Sequence, residues 1–245
     1  MPEIDTAKRQ RDSALLARRA LQVQRGAARA AVLGVNDGLV SILCIVLGVA
    51  GAQASNHAVL LAGFAGLIAG AISMAAGEWI SVKSQVELFQ GVLNDLRRLV
   101  KNDRELLVEQ IAEKLSSSGH GDATARKAAA EISQDDDHLS DVYATQIIGI
   151  NPDELGSPWI AAGSSFVLFT LGALAPLSPW FFTGGVTAVV WSITLTALAS
   201  LVVGGYVARS SGKSIAYGAT RQFLIALFAA AVTYGIGVLF GVATA

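Results

Sequence analysis

Charge is nearly absent from this chain between Ala30 and Leu60 and again between Trp159 and Val207, while it is dense over Met1–Arg29 and Lys83–Glu154. That segregation constrains the fold more than any average does. An apolar stretch of about 20 residues is long enough to cross a bilayer as a helix. The composition is 53% hydrophobic and only 15% charged, against roughly 25% charged in an average soluble domain. A soluble protein could reach such averages, but not with its charges confined to two blocks. The pattern predicts an all-α, polytopic membrane protein with five transmembrane helices. A charged helical domain lies between spans two and three. The spans are expected at about Ala30–Ala52, Ala58–Ser81, Trp159–Leu177, Phe181–Tyr206 and Tyr217–Val242.

The domain organisation follows: residues 1–29 before the first span, 30–82 for spans one and two, 83–156 for the polar domain, and 157–245 for spans three to five. Leu15, Leu16, Ala20, Leu21 and Val23 form a rough helical stripe in the first segment. It is either an amphipathic helix on the membrane surface or a plain cytosolic tail. The same segment is too long and too polar for the start of an ordinary cleaved signal peptide. In the polar domain, Leu88, Val92, Leu96 and Leu99 keep a helical period, as do Leu106, Leu107, Ile111 and Leu115. A turn is expected at Ser116–Asp122 and a third helix over Ala123–Ile148, closed by Asn151-Pro152.

Basic residues set the orientation. Of 18 Lys and Arg, seven precede the first span, eight lie between Lys83 and Lys127, and Arg209, Lys213 and Arg221 lie where spans four and five join. None falls on the other side. The excess of basic residues in cytoplasmic loops places the N-terminus and the polar domain in the cytoplasm, with Ala245 outside, as an odd number of spans requires. A bacterial inner membrane is the expected location. The net charge of −1 creates no basic field for nucleic acid.

Asp37 is the most informative residue. It sits in Gly34-Val35-Asn36-Asp37-Gly38, inside the first span and about 10 Å from its cytoplasmic mouth. An intramembrane carboxylate faces a pathway or a partner unless it reaches wet headgroups. On the second span, Met74 and Glu78 are four residues apart and share a face. Counting from the same membrane side puts Met74 level with Asp37. A carboxylate with a thioether suits a soft first-row divalent ion better than Mg²⁺ or Ca²⁺, although a lone Met in a span can be packing alone. Gly63, Gly66, Gly70, Ser73 and Gly77 form a small-residue stripe that allows close helix contact, either across a dimer or within one chain. In the polar domain, Glu105, Glu109 and Glu113 line one helix face. They are either oxygen ligands for a divalent cation or a solvated face. No nucleotide loop, nucleophile motif or zinc spacing is present, and the chain reads as no enzyme.

Asn36-Asp37-Gly38-Leu39-Val40, with Ala69-Gly70-Ala71-Ile72-Ser73-Met74-Ala75-Ala76-Gly77-Glu78-Trp79 running on to Gln85, resembles the vacuolar iron transporter family. Gly149-Ile150-Asn151-Pro152 through Trp159, and Pro176-Leu177, are similar to the segments around that family's third span. The resemblance covers essentially the whole chain after residue 30. It implies a five-span homodimer that moves ferrous iron, and often manganese, out of the cytosol in exchange for protons. The metal is substrate, with no permanently bound cofactor; lipid, divalent metal ions and protons are the other partners. It places Asp37 and Met74 on the ion path; the residues themselves add Glu78 on the same face as Met74, and the stripe of Gly66, Gly70 and Gly77 is the candidate dimer packing. It assigns metal binding between the spans to glutamates, here Glu87, Glu105, Glu109, Glu113 and Glu131. The chain departs from the pattern where the family has several acids after Ser84-Gln85, and where Ile147 or Ile148 replaces an acid before Gly149. No ferritin-like domain is expected. The competing reading is a membrane-anchored metal sensor or scaffold that does not transport.

Overall fold

The computed structural model describes residues 27–152 and 155–244. Within them the regular structure is helical: α1 Ala27–Gly51, α2 Asn56–Asn102, α3 Arg104–Ser117, α4 Asp122–Ile132, α5 Asp136–Tyr143, α6 Pro158–Leu177, α7 Gly185–Ser210 and α8 Ile215–Thr244. Five of these, α1, α2, α6, α7 and α8, are long and apolar enough to cross a membrane, so the chain is an integral membrane protein. The amphipathic helix expected before residue 27 lies outside the described residues. Two compact units result: one from residues up to Trp79 together with those from Trp159 onward, the other from Ile80–Pro158.

Local chemistry explains the element ends. The chain turns after α1 through Gln53, at φ 58°, and Ser55 caps α2 by accepting the Ala58 amide at 3.2 Å. Asn56 then accepts the Gly185 amide at 3.0 Å, which ties the start of α2 to the start of α7. No proline interrupts α2 over its 47 residues. At 1.5 Å per residue it is about 70 Å long, more than twice the ~30 Å of hydrocarbon in a bilayer. The second span and the first helix of the polar segment are therefore one helix.

Two sequence expectations need correction. The third helix of the polar segment is broken: α4 stops at Ile132 and α5 starts at Asp136, with a π-helical turn at Ala144–Ile148 after it. Asp135 accepts the Asp137 amide at 2.9 Å and so caps a new helix start, which a run of three aspartates favours. Span four begins at Gly185 rather than Phe181, because Ser178–Phe181 forms a 3-10 turn that buries Trp180. There the Trp180 indole donates to Ser192 Oγ at 2.9 Å, and Ser192 donates to the Pro176 carbonyl at 2.7 Å. The otherwise free carbonyl at the end of α6 is thereby satisfied.

The membrane unit is held by backbone contact. A methyl placed on Gly38 would lie 2.1 Å from the Phe169 carbonyl oxygen, and one on Gly172 would lie 2.2 Å from the Val35 carbonyl oxygen. α1 and α6 therefore touch main chain to main chain, in the small-residue manner of membrane helices. The same holds for α7 and α8 at Gly204 and Gly218, and for α1 and α8 at Gly48 and Gly237. Leu43, Val46, Leu47, Phe169 and Leu177 fill the space between. The unit from Ile80 to Pro158 has its own core of Leu93, Leu96, Val100, Leu107, Ile111 and Leu139.

Gly38→Ala should destabilise the protein by at least ~1–3 kcal/mol, since the new methyl meets rigid backbone. Gly77→Ala, where nothing lies within 4 Å, should leave stability unchanged or slightly raised. Thermal unfolding of the two purified variants in one detergent checks the contrast, and equal midpoints would contradict it.

Candidate functional site

Three sequence-selected residues, Asp37, Met74 and Glu78, belong to the membrane unit, and contacts between α1 and α2 give their register. A methyl on Gly63 would meet Val46, and one on Gly66 would meet Ile45 and Ile42. The helices are antiparallel, so eight residues further along α2 and eight residues back along α1 bring Met74 level with the segment around Asp37. That level is about 12 Å from the Gly66 contact. Glu78 lies one turn nearer the α1 start.

Phe169 stands beside this level. Its side chain is 2% exposed, and its ring occupies the space over Gly70 while its backbone presses on Gly38. It wedges between α1 and α2 one residue from Asp37 and four from Met74. Asp37 itself is exposed on the single chain and accepts a hydrogen bond from Ser41 Oγ at 2.7 Å. Met74 is half-buried and packs its thioether side chain against the core. Glu78 is also half-buried. Sequence reasoning missed Ser41 and Phe169. Ser41 carried a legible signal, because it lies four residues from Asp37 on the same face. Phe169 carried none, since it meets the site only through the fold.

The glycine stripe divides. Gly66 and Gly70 are taken up within the chain by Ile45 and the Phe169 ring, and Gly77 is open. The small residues that remain exposed on this part of α2 are Ala65, Ala69, Ser73, Ala76 and Gly77, beside exposed Phe64, Ile68 and Ile72.

In the second unit, Glu105, Glu109 and Glu113 line a cleft of about 730 Å³ together with Asp122 and the guanidinium groups of Arg104 and Arg126. Glu87 pairs with Lys83 at 3.2 Å, and Glu131 is exposed near the end of α4. Among the described residues, no three of His, Cys, Asp and Glu converge on a point that could hold a metal ion. Arg104 holds the corner of this unit by pairing with Asp136 and donating to the Ser133 carbonyl. The Tyr143 hydroxyl donates to Gln110 across from it.

The sequence profile described as the VIT family matches residues 28–238. The chain belongs to the VIT family. Among its relatives, the vacuolar iron transporter homolog 1 of Oryza sativa subsp. japonica is 32% identical over 216 residues, covering 87% of this chain and 73% of the relative. The VIT-like transporter 1b of Glycine max is 33% identical over 215 residues, with 87% and 76% covered. The vacuolar iron transporter of Acanthamoeba castellanii is 31% identical over 218 residues, with 86% and 77% covered. These relatives are named as transporters, not as enzymes. In this VIT-family chain the stretch after Ser84-Gln85 offers Glu87 alone, already paired with Lys83, and Ile147 and Ile148 stand on the π-helical turn before Gly149.

The dispersed acids should bind divalent metal weakly. Replacing Glu105, Glu109 and Glu113 together by Gln in the full chain should change Mn²⁺ affinity by less than about threefold, because a tight site needs several oxygens converging on one ion. Calorimetry on the purified protein checks this, and loss of a nanomolar site in the triple variant would contradict it.

Proposed function

We propose that this protein carries Fe²⁺, with Mn²⁺ as a second substrate, from the cytosol across the membrane, in exchange for protons. The observation that carries the reading is Asp37. It is a carboxylate within the apolar stretch Val32–Gly51, turned out of the protomer, whose hydrogen-bond partner is Ser41. A carboxylate held at that depth demands a partner or a wet pathway. Met74 at the same level supplies a soft sulfur that Mg²⁺ and Ca²⁺ do not seek, and a ferrous or manganous ion accepts. The relatives' names point to iron as well.

The mechanism follows from charge. A divalent ion leaving water loses a large hydration energy, which neutral oxygens replace poorly in a low-dielectric site. Asp37 supplies the negative charge. Glu78, nearer the mouth, receives the ion first, and Met74 completes the shell beside Asp37. When the metal leaves, Asp37 takes a proton, so one carboxylate alternately serves both ions. Glu87, Glu105, Glu109, Glu113 and Glu131 concentrate cations at the cytoplasmic side without forming a tight site.

A second copy of the chain completes the path. The face of α1 and α2 that carries Asp37 is exposed on one protomer, and the small row Ala65, Ala69, Ser73, Ala76 and Gly77 beside it permits close approach. We take the residue 83–156 segment as the cytoplasmic domain, residues 1–29 as a surface segment before the first span, and a bacterial inner membrane as the location. The placement of all 18 basic residues supports N-in, C-out topology.

Asp37→Asn should abolish metal flux while the protein still folds, because Asn keeps shape and a carbonyl oxygen but removes the charge. Met74→Leu should slow flux or change metal preference, and Glu78→Gln should mainly raise the apparent KM. The assay is Fe²⁺ and Mn²⁺ flux into inside-out vesicles at matched protein levels, with and without a pH gradient. Normal flux by Asp37→Asn would favour the sensor reading instead.

Ala69→Leu should weaken self-association, because it disturbs the exposed small row rather than the protomer's own core. Sedimentation of the detergent-solubilised variant checks this, and a monomeric wild-type protein that still transports would overturn the dimer. A reporter fused after Ala245 should be active only outside the cytoplasm.

A further inference from the structure

We propose that the hairpin joining α7 to α8 binds the phosphate headgroup of an anionic phospholipid through Lys213 and Arg221, with Arg209 across the turn. From Gly185 to Ala245 the chain contains no Asp or Glu, yet it carries these three cations. None of the three pairs with a carboxylate among the described residues, whereas Lys83, Arg98 and Arg104 in the other unit each do. Among the described residues nothing supplies their counter-charge.

The surroundings select a lipid. α7 and α8 touch at Gly204 and Gly218, and a left-handed Gly212 closes the turn as Lys213 donates its amide to the Ala208 carbonyl at 2.8 Å. The basic side chains are thus presented on a fixed two-helix end. Arg221 lies six residues into α8, within the apolar membrane stretch, and is exposed. Its guanidinium sits over the Tyr217 ring, 5.9 Å from the centroid. Helical side chains lean toward their helix N-terminus, so Arg221 snorkels back toward the turn and Lys213. On the side away from the turn, the same face of α8 continues with exposed Leu224 and Phe228, and α7 exposes Val202 and Tyr206. A cation at headgroup depth above an apolar face fits a phosphate that carries acyl chains. A free anion would gain nothing from that face. Basic sites between membrane helices recognise anionic headgroups by this combination of charge and depth.

The test uses the full-length protein stripped of lipid in a neutral detergent. Phosphatidylglycerol and phosphatidylcholine with identical acyl chains are titrated in, and retained lipid is counted by native mass spectrometry. A photoactivatable phosphatidylglycerol then maps the site by peptide sequencing. Preferential retention of phosphatidylglycerol is expected, weakened about fivefold for each of Arg209→Gln, Lys213→Gln and Arg221→Gln, with cross-links on residues 202–228. Equal retention of both lipids would overturn the proposal, as would unchanged affinity in the triple variant. Displacement of the lipid by millimolar inorganic phosphate would assign a free-anion site and overturn it too. Should the triple variant lose its monodisperse elution, the wild-type cross-link map decides, and cross-links confined elsewhere in the chain would refute the assignment.

Discussion

The placement of Asp37 depends on one backbone contact, the crossing of α1 and α6 at Gly38 and Gly172. Carbonyl oxygens of Phe169 and Val35 occupy the space where Cβ atoms would stand. Helices gain little from apolar burial when lipid is equally apolar, so close van der Waals contact has to supply the association. Two consequences follow for the site. Successive helical residues are about 100° apart, so pinning Gly38 against α6 turns Asp37 to a different face, where it is exposed. The Phe169 side chain, sent inward from the same crossing, fills the space over Gly70, on the stretch of α2 that brings Met74 level with Asp37. The glycine in Asn36-Asp37-Gly38 therefore helps set which face Asp37 presents.

The charged unit obeys different physics. Its core is aliphatic, and its corner at Arg104 joins the start of α3 to the break between α4 and α5. Glu105, Glu109 and Glu113 are each one helical repeat of about 6 Å apart, and a divalent ion needs oxygens within roughly 2.0–2.6 Å of its centre. A single row of this kind cannot close on one ion. It shares its cleft with Arg104 and Arg126, whose positive charges oppose tight cation binding.

Charge in the membrane unit is sparse, and several of its charged and polar groups have identifiable partners. Asp37 has Ser41 and an exposed face, Arg221 has the Tyr217 ring, and Trp180 and Ser192 close a buried hydrogen-bond chain onto Pro176. Not every neutral polar group is met in this way: Asn36 Oδ1 and the hydroxyls of Ser165, Thr196 and Ser200 are buried without a hydrogen-bond partner among the described residues.

The five membrane helices were legible in the sequence because hydrocarbon forbids charge over a fixed length, and that rule operates segment by segment. Asp37 stood out as a candidate for the same reason, since an acid is conspicuous against an apolar run. Boundaries set by capping were less so: the break at Asp135 and the 3-10 turn at Trp180 depend on local hydrogen bonds that hydrophobic periodicity does not register. What the tertiary structure alone decided was which small residues serve which contact. Gly66, Gly70 and Gly77 belong to one small-residue stripe in the sequence, but only the first two meet side chains of α1 and α6. A glycine's role is the absence of atoms, and what fills that absence is determined by the helix that crosses it.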